Sequence, residues 1–136
     1  MIISFEDFKQ LDEYQQFISE NPDMGYLKVQ VFTAYGAIPV ADTDILITKD
    51  IGQYRVVFFR GRTDSSGIIS DIELPAPLAT IDPEIAPMYT LYDLTAINEG
   101  YETLKKYSVA MFGGIKIIQY VKMTPEIDMG GTINGN

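Results

Sequence analysis

A mainly β chain, folded as a two-layer sandwich of short strands behind an N-terminal amphipathic helix, is the fold class that this sequence predicts. Three observations carry it. Apolar residues recur at spacings of three and four between Phe5 and Ile18, and that pattern does not return. From Tyr26 onward the period falls to two, in a series of short runs. Gly, Pro, Asp or Asn bounds each run.

The helix is expected over about Phe5 to Glu20, with Ser4 as N-cap, Asp7 three residues on as an imperfect capping box, and Ile3 against Phe8 as a hydrophobic staple. Phe5, Phe8, Leu11, Tyr14 and Ile18 make its apolar stripe, and Glu6, Lys9, Gln10, Asp12, Glu13 and Gln16 fill the other side. Such a helix must cover something apolar. Asn21 to Gly25 then supplies a stop and a turn.

The first strand places Leu27, Val29 and Val31 on one face, and Tyr26 and Phe32 on the other. This second, aromatic stripe needs a cover, either the helix, which the short connection through Asn21–Gly25 can fold back onto it, or a partner chain. Further strands are expected at Asp44–Thr48, Tyr54–Arg60, Ile68–Leu74, Tyr89–Ile97, Ser108–Phe112 and Ile115–Met123. One of the adjacent Phe58 and Phe59 should face away from the main core. The turn Asp64-Ser65-Ser66-Gly67 calls for a positive φ at Gly67, so Gly67→Val should cost about 1–2 kcal/mol. Asn98-Glu99-Gly100 tolerates positive φ as well. Pro75, Pro77, Pro83 and Pro87 make Leu74–Pro87 a long connection between sheets. Gly113-Gly114 reads as a hairpin turn rather than a phosphate loop, since neither a helix nor a Lys-Ser or Lys-Thr pair follows it. The expected organisation is a helix and turn over residues 1–24, a sandwich over 25–125 and a flexible tail over 126–136.

A chain of 136 residues fits one domain with one core. Its 10 basic and 19 acidic residues leave a formal charge of -9, which repels phosphate backbones and argues against nucleic acid. Having neither Cys nor His, it lacks thiol nucleophiles, imidazole acid–base chemistry and the usual zinc ligands. No run approaches a membrane span, and the first residues lack the basic and apolar regions of a signal peptide, so the chain is expected to stay in the cytoplasm where it is made unless another route exports it.

Asp42, Asp44, Asp64, Asp71 and Glu73 are the carboxylates to weigh as a calcium site or a glycosidase pair. Their spacing lacks the dense Asp/Asn/Gly pattern of a cation loop, and nothing marks a matched catalytic pair. Neither metal, cofactor nor catalytic residue is assigned. Nine tyrosines and seven phenylalanines offer an interaction surface instead, with Tyr26, Phe32, Phe58, Phe59, Tyr89 and Tyr92 as its candidates.

The order of elements also resembles a known family. A strand, Pro39, a strand through Ile45 and Ile47, Thr63-Asp64-Ser65-Ser66-Gly67, a hydrophobic strand and Gly100-Tyr101-Glu102 look like the carboxypeptidase regulatory-like, or transthyretin-like, seven-stranded Greek-key sandwich, from about Gly25 to Pro125. Leu74-Pro75-Ala76-Pro77, Tyr89 with Tyr92, Gly100-Tyr101 and Val109-Ala110-Met111-Phe112-Gly113-Gly114 with Gln119 look closest to the accessory domain of clostridial spore cortex-lytic enzyme precursors. The resemblance implies a non-catalytic accessory module tied to the cell envelope or spore. Two partner classes follow as expectations: a protein, including a second copy of the chain, or a cell-wall glycan such as peptidoglycan.

Overall fold

The structure, a computed structural model, describes residues 1–35, 37–101 and 105–126. In chain order its elements are β1 (Ile2–Ser4), α1 (Phe5–Phe8), α2 (Glu13–Glu20), β2 (Asp23–Thr33), β3 (Asp44–Ile51), β4 (Tyr54–Arg62), β5 (Ile68–Ala76), β6 (Thr90–Ile97), β7 (Lys105–Met111) and β8 (Lys116–Met123). They form a five-stranded sheet in the order β1-β4-β3-β6-β7 and a three-stranded sheet in the order β5-β2-β8. Each of the seven period-two runs is a strand of this sandwich, β2 to β8. The expected tail lies, from residue 127 on, outside the described residues.

Alternation sets the core. In β2, Leu27, Val29 and Val31 are buried and the residues between them are not. They meet Ile45 and Ile47 of β3, and Tyr92 and Leu94 of β6, all essentially inaccessible. Burying each such side chain contributes roughly 1.5–3 kcal/mol before ordering entropy is subtracted.

Two strand boundaries and one connection differ from expectation for local physical reasons. β2 starts at Asp23, so the turn is only Asn21-Pro22, and Gly25 lies within the strand. A Cβ on Gly25 would sit 2.8 Å from the Phe112 carbonyl oxygen, so glycine lets the chain after β7 pass over β2. β5 runs through Pro75 and Ala76, which an edge strand tolerates because only one side of it needs a hydrogen-bond ladder. The remaining proline-rich stretch crosses between sheets, as expected. Gly113-Gly114 is not a hairpin: β7 and β8 belong to different sheets, and these residues turn the corner between them. The corner is tight, for a Cβ on Gly113 would lie 2.2 Å from the Pro77 carbonyl oxygen.

The N-terminal segment departs furthest from its pattern. Ser4 does cap α1, its hydroxyl accepting from the Asp7 amide at 3.1 Å. The helix stops after Phe8, and α2 begins at Glu13. The break brings Phe17 rather than Ile18 into the interior, beside Phe8. The segment does not lie on Tyr26 and Phe32. β1 adds to the five-stranded sheet parallel to β4, with Ile3 opposite Val56, and this seats both helices over β4. A register shift between Ile47 and Thr48 leaves Phe58 with no opposite residue. Such a bulge turns two neighbours toward the same side. Phe59 accordingly packs on the main core, while Phe58 joins the two clusters, stacked on Phe5 (4.6 Å) and edge-on to Tyr92 (5.0 Å). Neither phenylalanine faces away.

Buried polar groups pin the loop before β3. The Thr63 hydroxyl donates to the Val40 carbonyl (2.8 Å) and accepts from the Thr43 amide (3.0 Å), and the Asn98 amide donates to Thr43 Oγ1 (2.8 Å). Thr63 is 3% exposed, so water cannot replace these bonds. Thr63→Val, close in shape, should cost about 2 kcal/mol in urea denaturation by stranding a buried amide and a carbonyl. A change below half of that would mean that the loop is held by packing alone.

Candidate functional site

Two surfaces stand out. The first is a groove of about 690 Å³ between α2, the β3–β4 turn and the approach to β6. Glu13, Gln16 and Glu20 fall on one side of α2 at i, i+3 and i+7 and line one wall. Phe17 and Ile51 supply apolar surface beneath them, and Pro77, Met88 and Tyr89 the facing wall. Met88 and Tyr89 are more than half exposed, and the Tyr89 ring rests against Phe112 at 5.6 Å.

Asn21 ties this groove together. Its side-chain amide donates to the Phe17 carbonyl at 2.9 Å, closing α2, and its oxygen accepts from the Thr90 hydroxyl at the start of β6. Lys49 lies at the groove and donates to the Leu91 carbonyl at 2.9 Å, with its ammonium 5.8 Å from the Tyr92 ring centre. Burial pulls this ammonium below the usual lysine range, an effect that the Asp93 and Asp50 carboxylates oppose. Tyr92 itself is buried, and its hydroxyl donates to the Pro75 carbonyl. Burial pushes that phenol well above its usual range, so it remains a neutral donor.

The second surface is the outer face of the three-stranded sheet. Tyr26, Lys28, Gln30 and Phe32 of β2 lie on it, next to Lys116, Ile118, Tyr120 and Lys122 of β8 in parallel register. Phe32 and Tyr120 pair at 6.0 Å, and Ile118 and Tyr120 remain about half exposed. No helix among the described residues covers this face, because β1 holds α1 and α2 on the other sheet.

The six aromatic residues singled out in the sequence therefore do not form one surface. Tyr26 and Phe32 lie on the open sheet face, and Tyr89 lines the groove. Phe58, Phe59 and Tyr92 belong to the interior, for the bulge and the alternation of β6 direct them inward. Ile118 and Tyr120, which the sequence reading passed over, join Tyr26 and Phe32 through the β2–β8 pairing; only their own period-two placement hinted at exposure.

The five carboxylates are dispersed as well. Asp44 binds Arg62 at 2.8 Å, Asp64 accepts from the amides of Ser66 and Ile68 in its own turn, and Glu73 faces the outer surface of β5. Asp42 and Asp71 take positive φ. Among the described residues no group of three or more carboxylates gathers. Arg55 bridges Asp50 (2.8 Å) and Asp93 (3.3 Å), and its hydrogen bond to Asp50 chiefly raises its already high pKa. Exposed pairs of this kind contribute little to stability. No helix among the described residues is long and apolar enough to cross a membrane.

No family model matches the chain, and no curated protein matches it in sequence. Solved structures do resemble it. A 5-hydroxyisourate hydrolase of Klebsiella pneumoniae is similar with a TM-score of 0.52 and 15% identity, over 76% of this chain and 92% of the hydrolase. The TIE protein of Bacillus anthracis is similar with a TM-score of 0.51 and 14% identity, over 76% of this chain, which spans only 17% of that protein's length. At such identities the likeness is one of fold, and the fold is a transthyretin-like β-sandwich, here carrying a short helical segment at its N-terminus.

Proposed function

We propose that this chain is a non-catalytic interaction module that docks a protein partner, or a second copy of itself, through the open face of β2 and β8. The observation that carries this reading is the row of Tyr26, Phe32, Ile118 and Tyr120 on two neighbouring strands, which no other element among the described residues covers. Exposed rings and an aliphatic side chain interleaved with Lys28, Gln30, Lys116 and Lys122 favour a protein, because a partner can exclude water from the apolar groups while its own polar groups meet the lysines. A hydrolase reading would have to run without His or Cys, and the described carboxylates do not cluster. The resemblance to a spore cortex-lytic accessory domain suggests the cell envelope or spore as the setting.

A glycan-binding reading asks for tyrosines beside amides on a concave surface. Of the six aromatic residues only Tyr89 meets such a setting, with Gln16 in the groove. Two measurements sort the readings. A photo-crosslinking residue at position 120 should yield a discrete protein adduct in cells, weakened by Tyr26→Ala and Phe32→Ala, while one at exposed Leu78 should not. Sedimentation with purified peptidoglycan should leave the chain in the supernatant. Pelleting that is lost with Tyr89→Ala, together with no adduct at position 120, would replace the protein reading with the glycan one.

A further inference from the structure

We infer that the groove beside α2 receives a basic segment of a partner protein, an arginine or lysine side chain lying along it. This rests on the reading of the chain as a protein-docking module, and it concerns a different surface from the open sheet face. Three observations converge on a cationic occupant.

Two acidic residues of the rim are unspent. Glu13 and Glu20 are exposed on the groove side of α2, and among the described residues neither comes within 4.0 Å of a basic group. Asp50, near the end of β3, also lines the groove but is already bound to Arg55 at 2.8 Å. Lys49 places one positive charge in the groove beside Asp50, so the acidic excess rests on Glu13 and Glu20.

The walls are apolar where a long side chain would need them. Phe17, Ile51, Pro77, Met88 and Tyr89 suit the methylene stem of lysine or arginine, and the half-exposed Tyr89 ring offers a face for a guanidinium. An acidic or neutral polar segment would gain from neither feature.

The whole molecule agrees with the site. A charge of -9 draws cations toward the surface and slows anions, and the groove concentrates that attraction between low-dielectric walls. The groove also depends on α2 and the Asn21 link, so its occupant reads the N-terminal segment together with the sandwich.

The test uses fluorescence anisotropy of the full chain with three labelled peptides, in which Arg, Lys or Glu alternates with Ala. The Arg and Lys peptides should bind and the Glu peptide should not, with binding weakening between about 0.02 and 0.2 M salt. Glu13→Lys with Glu20→Lys should lower affinity for the Arg peptide by about tenfold, since each reversal removes one attraction and adds one repulsion. These exposed changes should leave the fold intact: the loss near the start of α2 and the gain near its end offset each other in the helix dipole. Tyr89→Ala should weaken Arg more than Lys. A control with the same net charge, Glu84→Lys with Glu99→Lys on exposed loops, should bind like the wild type apart from a small general loss. Equal losses in the control and groove variants would overturn the site, because attraction would then belong to the whole surface. Binding of the Glu peptide as tight as that of the Arg peptide would overturn it too. If the groove fails while the position-120 adduct persists, the docking reading stands and this inference alone falls.

Discussion

Phe8→Asp should lower the stability of this protein by about 3–5 kcal/mol, the range for losing a large buried aromatic side chain with a charge put in its place. Phe8 is fully buried, its ring about 6 Å from those of Tyr14, Phe17 and Tyr54, with Val56 beneath. Helices of four and eight residues have no stability of their own in water, so this segment exists only while docked. A carboxylate at position 8 cannot remain in that cluster. The helices should come away from β4 and expose Val56, Phe58 and Tyr54, while the main core between the sheets persists. Urea denaturation should therefore show a lowered midpoint, and hydrogen exchange should show lost protection over residues 1–22. Phe8→Leu should cost much less. An unchanged midpoint for Phe8→Asp would mean that the N-terminal segment is a passenger rather than part of the fold.

For Gly67→Val the expected loss is about 3–5 kcal/mol, larger than turn conformation alone suggests. Gly67 has φ +74, which by itself costs a side-chain-bearing residue about 1–2 kcal/mol and a β-branched one more. A Cβ there would also lie 2.4 Å from the Val31 carbonyl oxygen and 3.0 Å from the Val40 amide nitrogen. Both are backbone atoms and neither can swing aside. They belong to a tight node in which the Val31 amide donates to Gly67 (2.7 Å) and the Val40 amide donates to Val31 (3.0 Å). Any side chain must push β2 and the loop before β3 apart. Gly114 provides the comparison, with φ +73 and nothing within 4 Å of its added Cβ. Gly114→Ala should cost only the conformational part, about 1–2 kcal/mol. Equal losses at the two positions would show that the node at Gly67 yields easily.

The groove was the part least legible in the sequence. Its walls come from Glu13 to Glu20, Lys49 to Gly52 and Pro77 to Thr90, three stretches that only folding brings together. Glu13, Gln16 and Glu20 are visible as a polar side of a helix, yet a polar side ordinarily faces water, and nothing local says that these residues face a wall. Asn21 reads as a turn residue. Its burial and its bond to Thr90 depend on a partner 69 positions away. The open sheet face was half legible, since alternation in β2 exposes Tyr26 and Phe32, but their joining with Ile118 and Tyr120 needs the pairing of the first and last strands of the sandwich.

What the sequence determined by itself is whatever depends on neighbours along the chain. Period-two runs with turn residues between them specify the seven sandwich strands and which face of each is buried. Ser4 specifies the start of the first helix, and the turn after Asp64 specifies a left-handed glycine. Tertiary structure alone decided the pairing and the seating. A three-residue β1 carries too few residues for any pattern, yet its pairing with β4 directs both helices there and away from Tyr26 and Phe32. One unpaired residue, Phe58, turns an expected outward ring into the link between two hydrophobic clusters. The physical reason is common to both: periodicity records whether a side chain is buried, while its partner is chosen by the free energy of packing distant segments, which no local pattern contains.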